Sequence, residues 1–379
     1  MRLEGLTSIS PNLLKRLERF QCLTVAHPLL LAARDQLMDV IDGSLPGSLI
    51  LVLGPTGVGK TTLRCKLEQS LLEQMTAVLV ADPGRLPFVS VEATVPEASR
   101  FRWRDYFAQF LASAREPLIE RKVLLDQDHM SFNAAITGSQ LEHSAVQLLR
   151  YRRRAAVFID EAQHLSRVAS GRRLIDQLDV IKSMANRTQT THVLLGTYEL
   201  LAFRNLSGQL SRRSVDLHFP RYRAESDEDI QIFKNVLVTF QNQFPTSEPP
   251  RLLQQWEFLY ERSVGCVGVL KDWLMRAAIC ALKSAANTVN LEHLEKTALS
   301  ISQCAKILAE ARDGESRLTE NEETRLQFRK TLGLHPKTAP CETSPAPTAH
   351  KLSKPTKRKR VGQRRPTRDP VGRKAVAHG

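Results

Sequence analysis

The sequence predicts an α/β fold: a doubly wound, mostly parallel sheet, then a C-terminal helical domain, then a disordered basic tail. Three observations favour this class. Short apolar strand patterns alternate with helical patterns up to about residue 225, helical patterns alone continue to about residue 312, and few apolar residues occur beyond Pro336. In such folds the ligand site lies at the carboxyl ends of the strands.

Apolar runs of strand length define the predicted sheet. The five predicted strands are 48–54, 86–93, 155–160, 192–197 and 214–219. A shorter run, AVLVA at 77–81, is predicted to be an added strand or a hairpin arm. The helical pattern from Lys60 to Gln74 connects the first strand to this region.

Changes of pattern along the chain predict five segments. The predicted boundaries are an N-terminal helical segment 1–46, an α/β domain 47–225, a helical domain 226–312, a charged linker 313–336 and a disordered basic tail 337–379.

Charge and composition restrict the class of protein. The net charge is +14, and the tail from Lys337 carries +10 of it, with twelve Lys and Arg against two acids. This concentration of charge indicates a polyanionic partner. No apolar run approaches the roughly 18 residues of a membrane span, and no signal peptide is recognisable, so we expect a cytoplasmic protein without membrane contact. The six scattered cysteines predict reduced thiols and no metal cluster.

A complete phosphate-binding loop follows the first predicted strand. Residues 54–61 match G-x4-G-K-[ST] between an apolar strand and a helix, which predicts ATP and Mg²⁺ as cofactors. Lys60 is predicted to contact the β- and γ-phosphates, and Thr61 to place its hydroxyl on Mg²⁺. The predicted nucleotide-binding residues of the loop are Gly54, Pro55, Thr56, Gly57, Val58, Gly59, Lys60, Thr61 and Thr62.

Two adjacent acids end the strand at 155–160. Asp160 is predicted to hold the magnesium shell, and Glu161 to polarise the attacking water. The alternative is a strand that ends in a solvated acidic pair. The sequence DEAQH at 160–164 is also similar to the DEAH-type helicases, but the chain has no second unit of the kind those enzymes contain.

Four further residues are candidates for sensing or stabilising the γ-phosphate. Thr197 ends a later strand and is predicted to sense the γ-phosphate, unless it is an ordinary strand-end residue. Arg213, or less favourably Arg212, is predicted to reach the nucleotide of a neighbouring subunit; the alternative is a solvated surface arginine. Lys271, at the start of a helix, either leans onto the γ-phosphate or lies on the surface.

The motifs GPTGVGKTT, FIDEAQHL, LLGTYELLAF and LSRRSVDLHFPRY together resemble AAA+ ATPases, and more narrowly the TnsC/TniB family of transposition regulators, over about residues 20–300. The resemblance implies a P-loop AAA+ fold and an ATPase that oligomerises on duplex DNA as rings or helical filaments. It also implies that the chain links a target-selection protein to a transposase, with slow ATP hydrolysis limiting the lifetime of the assembly. The basic tail matches no motif of that family.

Direct DNA contacts are expected in two basic segments. Arg100, Arg102 and Arg104 are interleaved with aromatic residues in a patch able to bind phosphates. The alternative is a helix with Trp103 in the core and its arginines solvated. The run at 354–360 resembles a nuclear-import signal in composition, although phosphate binding is the favoured use.

Three functions are compatible with these features. The first is an ATP-dependent regulator of transposition on DNA, the second an AAA+ loader or initiator-like motor, and the third a scaffold that binds ATP without hydrolysing it. Glu161 argues against the scaffold, and the lack of a winged-helix pattern weakens the initiator. Residues 22–30 are the expected position of the adenine pocket.

Overall fold

The computed structural model describes residues 11–95, 101–117, 119, 125–126, 129–130, 137–152, 156–166, 172–204, 214–319 and 321–334. The chain divides into two compact units, Met1–Glu320 and Asn321–Gly379. The predicted segment boundaries at residues 46, 225, 312 and 336 stay predictions. The predicted basic tail, 337–379, lies outside the described residues.

A five-stranded parallel sheet forms the centre of the first unit, as the sequence predicts. Its strands are β1 (Leu49–Leu53), β2 (Phe88–Glu92), β5 (Ala156–Asp160), β6 (Thr191–Gly196) and β7 (Ser214–His218). Their order is β2-β5-β6-β1-β7, and every pairing is parallel. Leu53 is in register with both Gly196 and His218, so the strand ends that carry the predicted site residues meet at one edge. Two-residue strands, β3 (Leu125–Asp126) and β4 (His129–Met130), form a separate antiparallel pair.

Helices cover both faces of the sheet. Within the described residues of this region the helices are α1 (Pro11–Cys22), α2 (Pro28–Gly43), α3 (Lys60–Gln74), α4 (Thr76–Ala81), α5 (Trp103–Ser113), α6 (Gly138–Tyr151), α7 (Gln163–Ser166), α8 (Arg172–Thr188) and α9 (Leu201–Arg204). The apolar side chains of β1 alternate between two clusters. One contains Leu51 with residues of α5, α6 and α8, and the other contains Ile50 with residues of α2 and α3. This alternation explains why the strand is apolar throughout.

A third apolar cluster joins the two ends of the first unit. The helices after the sheet are α10 (Asp227–Asn242), α11 (Trp256–Ser263), α12 (Val267–Lys283), α13 (Leu291–Thr297) and α14 (Ile301–Leu318). Leu17 and Phe20 of α1 pack with Phe240 and Trp273 from these helices. The phenyl ring of Phe20 lies 5.8 Å from that of Phe240 and 5.2 Å from that of Phe244. The N-terminal helix therefore contributes to the core of the C-terminal helices.

One predicted strand is wrong: residues 76–81 form helix α4. None of its side chains is buried, although the run is apolar. The backbone N–H of Leu79 donates to the carbonyl oxygen of Met75, and that of Asp82 donates to the carbonyl oxygen of Val78. The segment therefore forms its backbone hydrogen bonds within itself. A strand needs a neighbouring strand for these bonds, whereas a helical turn does not. Helix α14 also continues to Leu318, beyond the start of the predicted linker at 313.

The second unit contains helix α15 (Glu322–Thr331) among its described residues. Acidic Glu322 and Glu323 lie in its first turn and basic Arg329 and Lys330 in its last, as the helix dipole favours. Its larger apolar side chains, including Phe328, are exposed. Across the described residues of both units, no helix combines the length and the apolar character that crossing a bilayer requires.

The packing of α1 predicts a large stability effect at Phe20. Replacing this buried ring with alanine (Phe20→Ala) should lower the free energy of unfolding by about 3–5 kcal/mol, because the cavity cannot fully close. Denaturant unfolding followed by circular dichroism measures the change. Phe328→Ala, on an exposed position of α15, is the matched control and should cost well under about 1 kcal/mol. Equal effects of the two substitutions would contradict this packing.

Candidate functional site

The phosphate-binding loop connects β1 to α3 at the carboxyl edge of the sheet. Gly57 and Gly59 have positive φ angles of 74° and 114°, which side chains other than hydrogen disfavour. Gly59 is the N-cap of α3, and no side chain caps the helix there. Because the first N–H groups of a helix lack intrahelical acceptors, this end of α3 can bind an anion. A Cβ atom on Gly54 would lie 2.4 Å from the carbonyl oxygen of Phe219, so the loop sits tightly on the sheet.

Lys60 is buried at the start of α3. Its Nζ donates to the carbonyl oxygens of Gly54, at 3.0 Å, and Pro55, at 2.9 Å. Burial lowers the pKa of Lys60 from its ordinary value, while the nearby carboxylates of Glu161 and Asp160 act to raise it. The structure therefore brings the predicted phosphate-binding cation and the predicted acids into one electrostatic site.

Asp160 ends β5 and is held by two hydrogen bonds. One carboxylate oxygen accepts from Arg64 Nε at 3.1 Å, and the other accepts from the backbone N–H of Glu161 at 3.0 Å. Arg64 also forms an ion pair with Glu68, and Ser90 donates to the same Glu68 carboxylate at 2.5 Å. Asp160 is 4% exposed, so its charge is compensated mainly by Arg64.

Glu161 and Thr197 are connected through Gln163, a residue with no predicted role. The amide nitrogen of Gln163 donates to the carboxylate of Glu161. Its amide oxygen accepts the backbone N–H of Thr197 at 3.2 Å. The hydroxyl of Thr197 is buried and finds no hydrogen-bond partner among the described residues. The ends of strands β5 and β6 thus bring the predicted water-activating residue, Glu161, and the predicted γ-phosphate sensor, Thr197, together through Gln163.

A cavity of about 160 Å³ opens between α3 and the ends of β2 and β5. Its lining residues are Thr61, Arg64, Ser90, Val91, Glu92, Asp160 and Glu161. It contains the side chains that the sequence predicts for magnesium binding and water activation. Thr61, Asp160 and Glu161 are therefore neighbours around one space.

These groups fit the magnesium ion that the loop motif implies. Magnesium prefers oxygen ligands and usually takes one or two protein side chains with substrate phosphates and water. The hydroxyl of Thr61 and the carboxylate of Asp160 supply this donor set, and each carboxylate oxygen has a second acceptor position. Within the described part of the chain, no group of three His, Cys, Asp or Glu residues forms a dedicated metal cluster.

A second, smaller cavity of about 40 Å³ borders the loop at Val58 and Gly59. Its lining residues are Leu23, Thr24, Val25, His27, Leu30, Val58, Gly59, Thr62, Phe240, Val267, Gly268 and Lys271. Part of the segment 22–30 therefore lies beside Gly59 and Thr62. Half of the lining residues have apolar side chains, which suit the flat face of a base.

His27 supplies a polar group in the wall of this second cavity. Its Nδ1 caps α2 by accepting the N–H of Leu30 at 3.4 Å and lies 2.8 Å from the hydroxyl of Tyr222. Burial lowers the pKa of His27 from 6.5 to about 4, so the ring is neutral near pH 7. With Nδ1 accepting, the ring proton is on Nε2.

The start of α12 contacts the loop directly. The N–H of Val269 donates to the carbonyl oxygen of Gly57 at 3.1 Å, and a Cβ on Gly268 would lie 2.5 Å from that oxygen. Lys271 follows on the same helix, but its Nζ donates to the carbonyl oxygen of Gln21 at 2.7 Å. It therefore lines the smaller cavity rather than the acidic one, and its predicted γ-phosphate contact stays a prediction.

The predicted DNA patch has a packed aromatic residue at its centre. Trp103 stacks near Phe107, with ring centroids 5.6 Å apart, and its Nε1 donates to Gln177 at 2.7 Å. Arg102 and Arg104 are exposed, and Arg102 forms an ion pair with Asp105 at 3.6 Å. The indole of Trp103 packs against the core, as expected from the alternative interpretation of a helix with solvated arginines. Arg100 and the predicted trans-acting arginines, Arg212 and Arg213, lie outside the described residues.

The sequence did not predict a role at this site for two residues, Arg64 and Gln163. Arg64 lies four positions after Lys60, so both project from the same side of α3, and this spacing was a usable signal. The contact of Gln163 with Thr197 joins residues far apart in the chain, and local sequence carries no signal for it.

The fold and part of the sequence are similar to known proteins. Residues 45–203 match the family model of the AAA domain. No curated protein matches the sequence. The ORC1 protein of Aeropyrum pernix, solved in complex with DNA, superposes with a TM-score of 0.51 and 18% identity, covering 74% of this chain and 67% of that chain. The ORC2 protein of the same organism, in its ADP form, gives a TM-score of 0.49 and 15% identity, covering 80% of this chain and 78% of that chain.

The family match covers the loop, both acids and Thr197, and it supports nucleotide binding and ATPase activity in general. The five-stranded parallel sheet, the loop and the following helices are those of the AAA+ P-loop fold.

Proposed function

We propose that the chain hydrolyses ATP at the edge of the sheet where Lys60, Asp160 and Glu161 meet. The observation that carries this proposal is the cavity of about 160 Å³ that Thr61, Asp160 and Glu161 line beside the start of α3, where the Nζ of Lys60 is bonded to the carbonyl oxygens of Gly54 and Pro55. Lys60 exchanges its bonds to the Gly54 and Pro55 carbonyl oxygens for bonds to phosphate oxygens. The positive φ angles of Gly57 and Gly59 let backbone N–H groups surround the same phosphates.

Each side chain around the acidic cavity has a defined task in this proposal. Thr61 and Asp160 hold Mg²⁺, which when bound neutralises charge on the phosphate oxygens. Glu161 accepts the proton of the attacking water. The unpartnered hydroxyl of Thr197 donates to the γ-phosphate. Arg213, or Arg212, contributes positive charge from a neighbouring subunit.

The adenine base is proposed to occupy the second cavity. The apolar side chains of Val25, Leu30 and Val58 suit the faces of the base, and Nε2–H of His27 suits a ring nitrogen. Because α12 also lines this cavity and is bonded to Gly57, a bound nucleotide would contact the loop and α12 together.

Beyond hydrolysis, we propose that the chain is an ATP-dependent regulator of transposition that assembles on duplex DNA in the cytoplasm. The resemblance of four motifs to the TnsC/TniB family supports this function, and the +10 charge of residues 337–379 supports a phosphate-rich partner. A transposase and a target-selection protein would then be the other partners. Hydrolysis would limit how long the assembly remains on DNA.

An initiator-like or loader function is the second candidate. The fold likeness to the Aeropyrum pernix ORC1 protein, which was solved in complex with DNA, favours it. Assembly on random duplex DNA separates the two candidates: continuous filaments support the transposition regulator, and isolated rings or monomers support the initiator.

The first prediction from the proposed site concerns ATP binding. Lys60→Ala should weaken it by about 10²–10⁴-fold, because two charge-assisted hydrogen bonds of about 1.5–3 kcal/mol each are lost. Titration with a fluorescent ATP analogue measures the affinity. Lys66→Ala, on the same helix with its Nζ 3.3 Å from Gln69, is the control and should bind as wild type does. Wild-type affinity in Lys60→Ala would exclude the loop as the phosphate site.

The second prediction separates binding from hydrolysis. Glu161→Gln should bind ATP but release phosphate about 10²–10⁴-fold more slowly, because the water loses its general base. With ATP and random duplex DNA, assemblies of this variant should persist in negative-stain images after wild-type assemblies have disappeared. Glu73→Gln, at the exposed end of α3, should match the wild type in both assays. Wild-type phosphate release by Glu161→Gln would show that another group activates the water.

The third prediction concerns residues 337–379. Deleting them should weaken DNA binding and reduce the slope of log K against log salt by about 3–6, since each phosphate contact contributes about 0.9. Fluorescence anisotropy with a labelled random duplex at several salt concentrations measures both quantities. A variant of unchanged length, with the twelve Lys and Arg replaced by Gln, should behave like the deletion. An unchanged slope would instead assign these residues to a protein partner.

A further inference from the structure

The side chain of Gln163 bridges the ends of two neighbouring strands. Gln163 begins α7 two positions after Glu161, and it is 3% exposed. One end of its amide contacts Glu161 and the other contacts the backbone of Thr197 at the end of β6. A buried amide whose two ends reach two candidate reactive residues calls for a functional explanation.

The chemistry of the two contacts fixes the orientation of the amide. An ionised carboxylate accepts hydrogen bonds and has none to donate, so the NH₂ group of Gln163 must face Glu161. The amide oxygen then faces the N–H of Thr197 at 3.2 Å, which requires an acceptor. Reversing the amide would place two acceptors together and two donors together.

The end of β6 is shaped to admit this side chain. A Cβ atom on Gly196 would lie 2.5 Å from the amide oxygen of Gln163 and 2.7 Å from Leu200. Such contacts are far inside normal van der Waals distance, so a larger residue at 196 would displace Gln163. Gly196 therefore matters for the space it leaves open beside the sheet.

Backbone hydrogen bonds also fix the segments that Gln163 connects. The N–H of Ala162 donates to the carbonyl oxygen of Leu195 at 2.9 Å, which ties the turn after β5 to β6. Glu161 has a φ angle of 50°, in the left-handed region that a non-glycine residue adopts at some energetic cost. The carbonyl oxygen of Gly196 accepts the N–H of Gly54 at 3.3 Å, so β6 is bonded to the phosphate-binding loop as well.

We propose that Gln163 is a positioning residue that sets the carboxylate of Glu161 against the end of β6. A displacement of Thr197 is then passed to Glu161 through one amide group. The orientation of Glu161, the proposed general base, is thereby coupled to the position of Thr197 at the end of β6, where the γ-phosphate is proposed to bind. This inference rests on the proposed role of Glu161 in hydrolysis.

Two substitutions separate the two ends of the bridge. Gln163→Met keeps the length of the side chain and removes both hydrogen bonds. Gln163→Glu retains an acceptor for the N–H of Thr197 but replaces the donor to Glu161 with a second carboxylate. Gln231→Met, on an exposed position of α10, is the control for the change from amide to thioether.

Steady-state hydrolysis and nucleotide affinity test the effect on Glu161. Both Gln163 variants should lose about 10- to 100-fold in kcat, the scale expected when a catalytic group is misplaced by about 1 Å. Affinity for a fluorescent ATP analogue should stay near the wild-type value in both variants. The melting temperature should fall by only a few degrees in Gln163→Met and further in Gln163→Glu, because the latter buries a second carboxylate beside Glu161. In the Glu161→Gln background, Gln163→Met should cause no further loss, because the group that it positions is already absent.

Hydrogen exchange at the amide of Thr197 tests the bridge without relying on hydrolysis. Exchange should accelerate in Gln163→Met and stay slow in Gln163→Glu, which keeps the acceptor. Wild-type kcat in both variants, additive losses with Glu161→Gln, or unchanged exchange in Gln163→Met would overturn the proposal. If the wild type releases no phosphate, the proposed function fails, and the exchange result still decides whether the bridge exists.

Discussion

The burial of one positive charge, the ammonium of Lys60, constrains everything around it. A buried cation is costly unless nearby oxygen atoms replace its hydration. The carbonyl oxygens of Gly54 and Pro55 do so directly, and the carboxylates of Asp160 and Glu161 act from a greater distance. The curvature of the loop and the acids at the end of β5 are therefore parts of one electrostatic arrangement. Removing the two carbonyl contacts would leave the buried ammonium without its direct partners.

The strand order explains how distant sequence segments reach this charge. Strand β1 lies between β6 and β7, and β5 lies beyond β6, so the loop, Thr197 and the acidic pair meet along one edge. The hydrogen bonds Gly54–Gly196, Thr197–Gln163 and Gln163–Glu161 connect the three segments across that edge. The bond between Val269 and Gly57 extends the network to the C-terminal helices. These hydrogen bonds connect the phosphate-binding loop to Glu161 on one side and to α12 on the other.

The sequence predicted the parts of this site that local pattern determines. The first strand, the loop and the start of α3 form one continuous motif, so residue spacing alone predicted the loop. The acidic pair follows an apolar run of strand length, so the same kind of local pattern predicted its position. The run at 77–81 was misassigned because a short apolar segment fits a strand or a helical turn, and only its lack of a neighbouring strand decides. The contact of Gln163 with Thr197 and the position of Lys271 depend on how distant segments pack. No local pattern encodes these contacts.

A structure determined with Mg²⁺ and a non-hydrolysable ATP analogue would show whether this edge of the sheet is the hydrolytic site. We expect the triphosphate to follow residues 54–61, with Lys60 Nζ on its β- and γ-phosphate oxygens and Mg²⁺ held by Thr61 and Asp160. The base should lie against Val25 and His27, and the γ-phosphate should face Thr197 and Glu161. A nucleotide bound away from the loop, or a γ-phosphate remote from Glu161, would contradict the assignment of this edge as the hydrolytic site.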